Sequence, residues 1–379
     1  MDYNMTGNDI KRIKILREKL EIKLSAERER MENIIPYIPD ENGRYVDTDN
    51  IFWWTNGFWA GIMWQMYHAT KESKYMESAR AVGKRLSVTL NEFDRLTHDV
   101  GFMFLHTAAA DYRLTGSDSA KKQAMQAATV LAARYNPAGQ YIRAWNNDFG
   151  ENDAEGLYIV DTLMNLPLLY WMYREIGDYR FMAIAAEHAN KTLRHTLRAD
   201  GSSNHIVECD PVTGDIISVP KGQGYASGSS WSRGQAWALY GMTLAARYIG
   251  GDDYLDAAKR TAHYFIACSS VTGFVPRADF RAPKEPPVYD TTAGLCAVCG
   301  LLELSGMVGE NEKQLYVSGA LEILKAITDN HCDWNPDTDG ITLDGSVSYY
   351  SGKNTRIIYG DYFLTEAVLR LTDEYFMIW

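Results

Sequence analysis

Two aspartates in the sequence have surroundings that suit acid and base chemistry. Asp161 has the apolar neighbours Ile159, Val160 and Leu163, and an apolar setting of this kind raises the pKa of a carboxyl group. A carboxylic acid that keeps its proton near neutral pH can act as a general acid. Asp99, in the segment HDVGF, is the second candidate for such a role.

A structural role is the alternative for both residues. Asp99 and Asp161, like Asp290 and Asp361, each precede an apolar stretch of helical character. Aspartate is a preferred N-cap residue, because its carboxylate accepts hydrogen bonds from the first helical turn and interacts favourably with the helix dipole. All four aspartates could therefore be N-caps.

The composition indicates a kind of substrate for a pair of carboxyl groups. Two carboxyls among many aromatic side chains are typical of enzymes that process sugars, because sugar rings stack on aromatic faces. The ten tryptophans fit this role, although a buried tryptophan is more often part of a core.

A recurring helical unit could bring these aspartates together. The pattern Tyr-x-x-x-Ala opens four stretches, at Tyr75, Tyr179, Tyr254 and Tyr316. Six other stretches are richer in aromatic and small residues and begin with their polar residues, near Trp54, Asp99, Asp161, Trp231, Asp290 and Asp361. Their spacing is about the length of a helix pair with its loops.

This alternation predicts an all-α fold, a closed double ring of six helical hairpins. The inner helices should be apolar nearly all round and the outer helices amphipathic, and the polar starts of the inner helices should meet at one end of the ring. β-Branched residues and turn signals in residues 204–222 predict a few short strands in the loops. No linker or low-complexity tract divides the chain, so we expect a single domain over residues 1–379.

Charge and hydropathy argue against several partners. The formal net charge is −11 and no block rich in lysine or arginine occurs, so nucleic acid is not an expected partner. The longest apolar stretch, near residues 157–173, is interrupted by Asp161, Asn165 and Pro167, so we expect no membrane span. Residues 9–30 alternate charged and apolar residues and are interpreted as an amphipathic helix rather than a signal peptide.

Cysteine and histidine usage favours a cytoplasmic protein without a metal. The five cysteines are an odd number, which fits reduced thiols better than a disulfide framework. Cys296 and Cys299 form a C-x-x-C pair in an apolar helical context, and we expect both to be buried core thiols. The eight histidines are scattered and no ligand set has a recognisable metal spacing, so neither a metal nor another cofactor is expected.

Four segments carry a resemblance to a known family. They are WTNGFWAG (54–61), HDVGF (98–102), YIVDTLMNLPLLYW (158–171) and SGSSWSRGQAWALYG (227–241). In this order they resemble the unsaturated glucuronyl hydrolases of glycoside hydrolase family 88. The resemblance implies an (α/α)6 barrel and release of a terminal 4,5-unsaturated uronic acid from a short oligosaccharide made by a polysaccharide lyase. It also implies hydration of the C4=C5 enol ether to a hemiketal that opens spontaneously, without a glycosyl-enzyme intermediate.

The resemblance also implies roles for individual residues. Asp161 matches the acid/base that protonates C4 and activates the water attacking C5, and Asp99 matches a partner that holds the sugar hydroxyls. The matching substrate contacts are Trp54, His205, Gln223, Trp231, Arg233 and, less closely, Tyr350. Ser351, Asn354 and Arg356 partly match a Ser/Ser/Lys loop that holds a sulfate on the second sugar in relatives. Arg233 would supply the positive charge that an acidic sugar requires.

Other interpretations stay open for these residues and for the function. His205 could be a solvated residue of a polar turn, and Arg233 could cap a helix or pair with a neighbouring aspartate. A sibling hydrolase acting on unsaturated rhamnogalacturonan fragments would share the barrel and the chemistry. A non-catalytic sugar-binding protein would need the aromatic residues but not both aspartates. The sequence makes no prediction of the oligomeric state.

Overall fold

Thirteen α-helices, arranged as two concentric rings, make up most of the regular structure in the part of the protein that the structure describes. This computed structural model covers residues 3–32, 34–147 and 154–379. In chain order the helices are α1 (Gly7–Arg30), α2 (Phe58–Thr70), α3 (Ser73–Leu86), α4 (Val100–Phe104), α5 (Ala110–Thr115), α6 (Asp118–Ala133), α7 (Pro167–Ile176), α8 (Tyr179–His195), α9 (Ser232–Tyr248), α10 (Asp252–Ser270), α11 (Thr291–Ser305), α12 (Glu310–Asn330) and α13 (Ile358–Leu371).

The inner ring consists of α2, α4 with α5, α7, α9, α11 and α13. Neighbouring inner helices pack against one another, and α13 contacts α2 to close the ring. Every residue of α11 and of α13 is buried, because these helices face the barrel axis on one side and the outer ring on the other. The predicted closed ring of six hairpins, an all-α (α/α)6 barrel, is confirmed.

The outer helices are amphipathic, as the sequence predicts. In α3, for example, Tyr75, Ala79, Val82 and Leu86 recur at helical spacing and are buried, while the opposite face is open to solvent. The four Tyr-x-x-x-Ala patterns lie on α3, α8, α10 and α12. The segment interpreted as an amphipathic helix is α1, which packs on α13.

Each inner helix from α2 to α11 is followed by an outer helix that returns along it, and the last inner helix, α13, packs on α1. The inner helices therefore begin at one end of the barrel. Close packing holds these starts in place. A Cβ at Gly241 on α9 would lie only 2.3 Å from the Cβ of Leu163, so only glycine lets α9 approach the turn that carries Asp161. Between α4 and α5 the inner helix widens into one π-helical turn, Leu105–Ala109.

Short strands connect the helices at this end. They are β1 (Tyr135–Asn136), β2 (Tyr141–Ile142), β3 (Leu157–Ile159), β4 (Ile206–Cys209) and β5 (Ile216–Ser218). β1 pairs with β2, and β4 pairs with β3 and β5, all antiparallel. The strands predicted in residues 204–222 are therefore confirmed as β4 and β5.

The opposite end of the barrel is closed by the C-terminal segment. Trp379 is buried, and its Nε1 donates to Glu366 over 2.8 Å. Arg370 binds Glu366 and Glu303 at 2.9 and 2.8 Å, and all three are buried. In this network each buried charged group is paired with a group of opposite charge. Such pairing is required for charged groups to be tolerated inside a protein.

The structure also bears on the predictions for thiols and membranes. Cys296 and Cys299 are fully buried, which confirms the expectation of core thiols, and all five cysteines are free. None of the helices in the described ranges has the length and apolar character that crossing a bilayer requires.

Candidate active site

A cavity of about 450 Å³ opens at the end of the barrel where the inner helices begin. Seven of the residues chosen from the sequence line it: Trp54, Asp99, Asp161, His205, Gln223, Trp231 and Arg233. The fold thus gathers side chains that are far apart in the chain, at the end that the sequence analysis proposed as the site.

Asp161 reaches the cavity from a short 3-10 turn, Val160–Met164, that follows β3. β3 pairs with β4, and the Val160 N–H donates to the His205 carbonyl over 3.0 Å. This pairing brings the two side chains together, with Nε2 of His205 3.2 Å from Oδ1 of Asp161. Both atoms are buried, and neither forms a hydrogen bond of good geometry with the described residues. They are therefore available to a ligand.

The orientation of His205 is fixed by the residues that follow β5. The Gln223 N–H donates to Nδ1 of His205 over 3.0 Å, so in the neutral ring the proton is on Nε2, which faces Asp161. Gly222 allows this contact, because its φ of +60° suits glycine and a Cβ there would lie 2.1 Å from Nδ1. With its side chain only 2% exposed, His205 is not a solvated turn residue.

Asp99 precedes α4 without capping it, since its side chain accepts no hydrogen bond from the first turn. Its Oδ2 accepts instead from the Thr97 hydroxyl over 3.1 Å. Burial and the nearby charge of Asp161 raise the pKa of Asp99 to about 7. The N-cap interpretation is therefore wrong for Asp99. Near neutral pH its carboxyl can exist in either protonation state, as acid and base chemistry requires.

His98 lies between the two aspartate segments, and the sequence analysis did not assign it a role. Its Nδ1 is 2.9 Å from the Thr162 hydroxyl and its Nε2 is 3.4 Å from Oδ1 of Asp99. Burial, with a smaller effect from Arg134, lowers the pKa of His98 well below its usual range. A neutral imidazole thus makes a hydrogen-bond contact with the turn that carries Asp161 and lies beside the Asp99 carboxyl. Its position directly before Asp99 was the available sequence signal.

Arg233 lies at the cavity wall as half of a buried ion pair. Its Nη1 is 2.7 Å from Oδ2 of Asp290, and both side chains are at most 1% exposed. Nη1 also donates to the Ser346 carbonyl, and Nη2 donates to the Val347 carbonyl over 2.6 Å. The alternative that Arg233 pairs with a neighbouring aspartate is thereby confirmed. Nε is buried without a partner among the described residues, so it remains able to contact a ligand.

Aromatic side chains form much of the cavity wall. Trp54 packs on Phe102 and Tyr359, with ring centroids 5.5 and 5.0 Å away, and Trp231 packs on His205 at 4.4 Å. Phe102 itself lines the cavity, and so do three further aromatic residues that were likewise not predicted from the sequence, Phe52, Trp53 and Trp145. They come from loops whose approach to the cavity depends on the tertiary fold, so no local pattern singled them out.

Four residues predicted to contact substrate do not line the cavity. Tyr350 is exposed, and its hydroxyl donates to the Tyr225 carbonyl over 2.8 Å. Ser351 is exposed, with its Oγ 2.8 Å from that of Ser348. Asn354 is exposed in a turn with φ +52°. Arg356 points to another cluster, where its Nη2 donates to Asp333 over 2.7 Å.

The remaining two aspartates have structural roles. Asp290 is the N-cap of α11, accepting from the N–H groups of Thr292 and Ala293. Asp361 lies inside the first turn of α13 and accepts from the N–H groups of Ile341 and Thr342 at 3.0 and 2.8 Å. Of the four proposed N-caps, only Asp290 caps its helix by side-chain hydrogen bonds.

No metal centre is evident in the described part of the chain. Across residues 3–32, 34–147 and 154–379, no group of three or more histidine, cysteine, aspartate or glutamate side chains is arranged to hold an ion.

Comparison with known proteins finds one family model and several relatives that are similar to this chain. The model of Glycosyl Hydrolase Family 88 matches residues 28–268. An unsaturated glucuronyl hydrolase of Bacillus sp. (strain GL1) is 36% identical over 343 residues, 89% of this chain and 90% of that protein. An unsaturated chondroitin disaccharide hydrolase of Streptococcus pneumoniae is 29% identical over 86% of this chain and 83% of that protein. The crystal structure of unsaturated glucuronyl hydrolase from Streptococcus agalactiae matches with a TM-score of 0.89 and 27% identity, over 99% of this chain and 94% of that chain.

Proposed function

The chain belongs to glycoside hydrolase family 88, and we propose that it releases the terminal 4,5-unsaturated uronic acid from disaccharides that lyases produce from glycosaminoglycans. The named relatives are an unsaturated glucuronyl hydrolase and a chondroitin disaccharide hydrolase. The observation that carries the proposal is the pair Asp99 and Asp161, together with His205, in one cavity with aromatic walls.

The proposed reaction is hydration of the C4=C5 bond rather than direct cleavage of the glycosidic bond. Asp161, in its protonated form, gives its proton to C4 while water attacks C5. The resulting carboxylate takes a proton from that water, so the acid form of Asp161 is restored. The product is a hemiketal at C5, which opens to the ketone and leaves a hemiacetal at C1. Loss of the second sugar from C1 completes the release.

The surroundings of Asp161 suit the stage of the reaction at which its proton has left. The N–H at Nε2 of His205 faces its carboxyl group and stabilises the negative charge that appears when the proton leaves. Asp99, whose pKa is raised to about 7 by burial and by Asp161, is proposed to bind the sugar hydroxyls. A protonated or ionised carboxyl can do so, because either form accepts hydrogen bonds.

Uronate binding is proposed to use donors that the protein leaves without partners. Nε1 of Trp231 and Nε of Arg233 are buried and have no hydrogen-bond acceptor among the described residues. The two residues are also in contact, with the guanidinium carbon 4.5 Å from the indole centroid. Because Asp290 neutralises Arg233, we propose that the acidic sugar is held by these directed hydrogen bonds more than by net charge.

The test is a panel of unsaturated disaccharides made by lyases from chondroitin, hyaluronan, heparin and rhamnogalacturonan, with and without sulfate. Hydration removes the conjugated alkene, so turnover is followed as loss of its ultraviolet absorbance. We expect turnover on the glycosaminoglycan disaccharides. Turnover on the rhamnogalacturonan disaccharide alone would instead support the sibling hydrolase. Binding without turnover on every member would indicate a sugar-binding protein and overturn the proposal.

We further propose that the protein works in the cytoplasm and that residues 1–379 form a single domain. All five cysteines are free, which suits a compartment that keeps thiols reduced. The contacts of α13 with both α1 and α2 join the beginning of the helical array to its end. Cell fractionation should recover the protein with cytoplasmic markers, and calorimetry should give one unfolding transition. Recovery outside the cytoplasm, or two separate transitions, would contradict the respective proposal.

A further inference from the structure

Asn165 connects the two segments that carry the aspartates. It directly follows the turn Val160–Met164 and is fully buried. Its Oδ1 accepts a hydrogen bond from the backbone N–H of Phe102 over 2.6 Å. Its Nδ2 donates to the carbonyl of Asp161 over 3.4 Å. One side-chain amide therefore contacts both the start of α4, which follows Asp99, and the residue Asp161 itself.

The N–H of Phe102 belongs to the first turn of α4, where backbone donors have no partner within the helix. The residue before such a turn usually supplies the acceptor from its own side chain. Asp99 occupies that position but forms no capping hydrogen bond. Because Asn165 satisfies the Phe102 N–H from a different hairpin, the carboxyl of Asp99 does not cap the helix and lines the cavity instead, where the side chains of Thr97 and Asn165 donate to it.

The contact between these segments leaves little room for adjustment. A Cβ at Gly101 would lie 2.5 Å from Oδ1 and 2.6 Å from Cβ of Asn165. The first turn of α4 therefore lies directly against Asn165. A change in the side chain of Asn165 therefore alters the packing and hydrogen bonding of the helix start that follows Asp99. Asn165 itself is not among the residues that line the cavity.

We propose that Asn165 is a positioning residue of the hydration reaction. It caps the helix after Asp99 from the turn of Asp161, which frees the Asp99 carboxyl for the substrate and fixes the two carboxyls relative to each other. The catalytic consequence rests on the proposed function, whereas the capping role does not.

The kinetic test compares Asn165→Ala with a matched control. Misplacement of a catalytic group by about 1 Å can reduce the rate on the order of a hundredfold, so we expect kcat of Asn165→Ala to fall about 10- to 100-fold. KM should change less than about threefold, since Asn165 does not contact the substrate. An unchanged kcat, or a rise in KM that accounts for the whole loss, would overturn the proposal.

The control is Gln65→Ala, which removes another buried bridging amide. Gln65 exchanges two hydrogen bonds with the backbone of Phe376, at 2.7 and 3.0 Å, in the segment that closes the other end of the barrel. We expect this variant to lose stability while the folded enzyme keeps its kcat. If Gln65→Ala reduces kcat as much as Asn165→Ala, the effect is a general loss of structure and the positioning role is wrong.

A second measurement needs no activity. In Asn165→Ala the Asp99 carboxyl can turn to accept the Phe102 N–H, but in an Asp99→Ala background it cannot. We therefore expect Asn165→Ala to lower the urea midpoint of unfolding more in the Asp99→Ala background than in the native one. Equal losses in the two backgrounds would overturn the capping role. If the decrease in urea midpoint is larger in the Asp99→Ala background but the protein turns over no disaccharide, the capping role stands. Only the proposed function is then overturned.

Discussion

Nε2 of His205 lies 3.2 Å from Oδ1 of Asp161, while the other ring nitrogen accepts a hydrogen bond from the Gln223 backbone. The backbone contact holds the imidazole in the tautomer that carries its proton on the side of Asp161. The pair is therefore a proton donor held beside a carboxyl group. The same cavity holds two further donors, Nε1 of Trp231 and Nε of Arg233, that have no acceptor among the residues the structure describes.

Because Gly222 contacts His205 closely, adding a methyl group at residue 222 should disturb the position of the His205 ring. In Gly222→Ala the new Cβ would lie 2.1 Å from Nδ1 of His205, so the ring must shift and Nε2 loses its present alignment with Asp161. We expect kcat/KM to fall at least about tenfold. The control is Gly228→Ala, which also has a positive φ, +75°, but meets nothing within 4 Å. Similar losses in both variants would show that backbone strain, and not the His205 contact, is responsible.

The buried pair of Arg233 and Asp290 predicts a large stability effect. Arg233→Met leaves Asp290 charged and unpaired in the interior and also removes the donors to the Ser346 and Val347 carbonyls. We expect the free energy of unfolding to fall by about 3–5 kcal/mol, the usual cost of breaking a buried pair. The exposed pair of Arg180 with Asp178 is the control, and Arg180→Met should cause no measurable change. A stable Arg233→Met enzyme with only a raised KM would assign Arg233 to substrate binding alone.

The raised pKa of Asp99 predicts how the stability depends on pH. The folded pKa is about 7, whereas an aspartate in an unfolded chain titrates near about 3.9. Between these values the folded state binds a proton that the unfolded state has released, so the contribution of Asp99 to the free energy of unfolding decreases as pH rises. Asparagine does not titrate. The stability of Asp99→Asn relative to the unmodified protein should therefore increase from pH 5 to pH 8, as measured by urea unfolding.

Asp210→Asn is the control for this pH dependence. Asp210 accepts from the backbone N–H groups of Thr213 and Val212 at 2.9 and 2.8 Å, and these bonds lower its pKa. It is then ionised in both the folded and unfolded states between pH 5 and pH 8. We expect a constant stability difference for this variant. A constant difference for Asp99→Asn as well would contradict the raised pKa of Asp99.

The barrel could be predicted from the sequence because its signals are local. The alternation of apolar and amphipathic stretches specifies helix pairs, and polar residues at the inner starts, such as Asp99 and Asp161, indicate one shared end. Contacts between loops produce no periodic pattern in the sequence. The partner of Arg233 is Asp290, which directly precedes α11, and the carbonyl acceptors of Arg233 belong to residues 346–347. From the sequence, pairing of Arg233 with an aspartate was therefore only one of several alternatives. Arg356 likewise binds Asp333, a contact between loops that no spacing rule indicates.

Metal removal should leave the activity unchanged. The proposed reaction uses the carboxyl of Asp161 and a water, and no cluster of metal-ligating side chains occurs among residues 3–32, 34–147 and 154–379. We expect the same kcat before and after dialysis against EDTA. Loss of turnover that a divalent ion restores would contradict this prediction and would require a new mechanism.

Replacement of Asp161 by asparagine tests the proton donor directly. Asp161→Asn keeps the size of the side chain and much of its hydrogen bonding, but it cannot give a proton to C4. Substrate binding should therefore persist, while kcat falls by about two to four decades, the loss expected for a general acid. Binding can be measured by calorimetry with the unsaturated disaccharide, because this variant should bind the disaccharide without converting it. Near-full turnover in Asp161→Asn would rule out Asp161 as the acid.

Isotope labels distinguish hydration from ordinary glycoside hydrolysis in the unmodified enzyme. If a proton from the solvent is added to C4, turnover in D2O places deuterium at C4 of the released keto acid. In a single turnover analysed before the released carbonyl groups exchange oxygen with the solvent, oxygen from labelled water should enter at C5, because water attacks there, and not at the anomeric carbon. A saturated glucuronide of the same linkage has no alkene to protonate, so it should not be cleaved. Comparable cleavage of the saturated glucuronide, or label at the anomeric carbon, would contradict the hydration mechanism even if Asp161 proved essential.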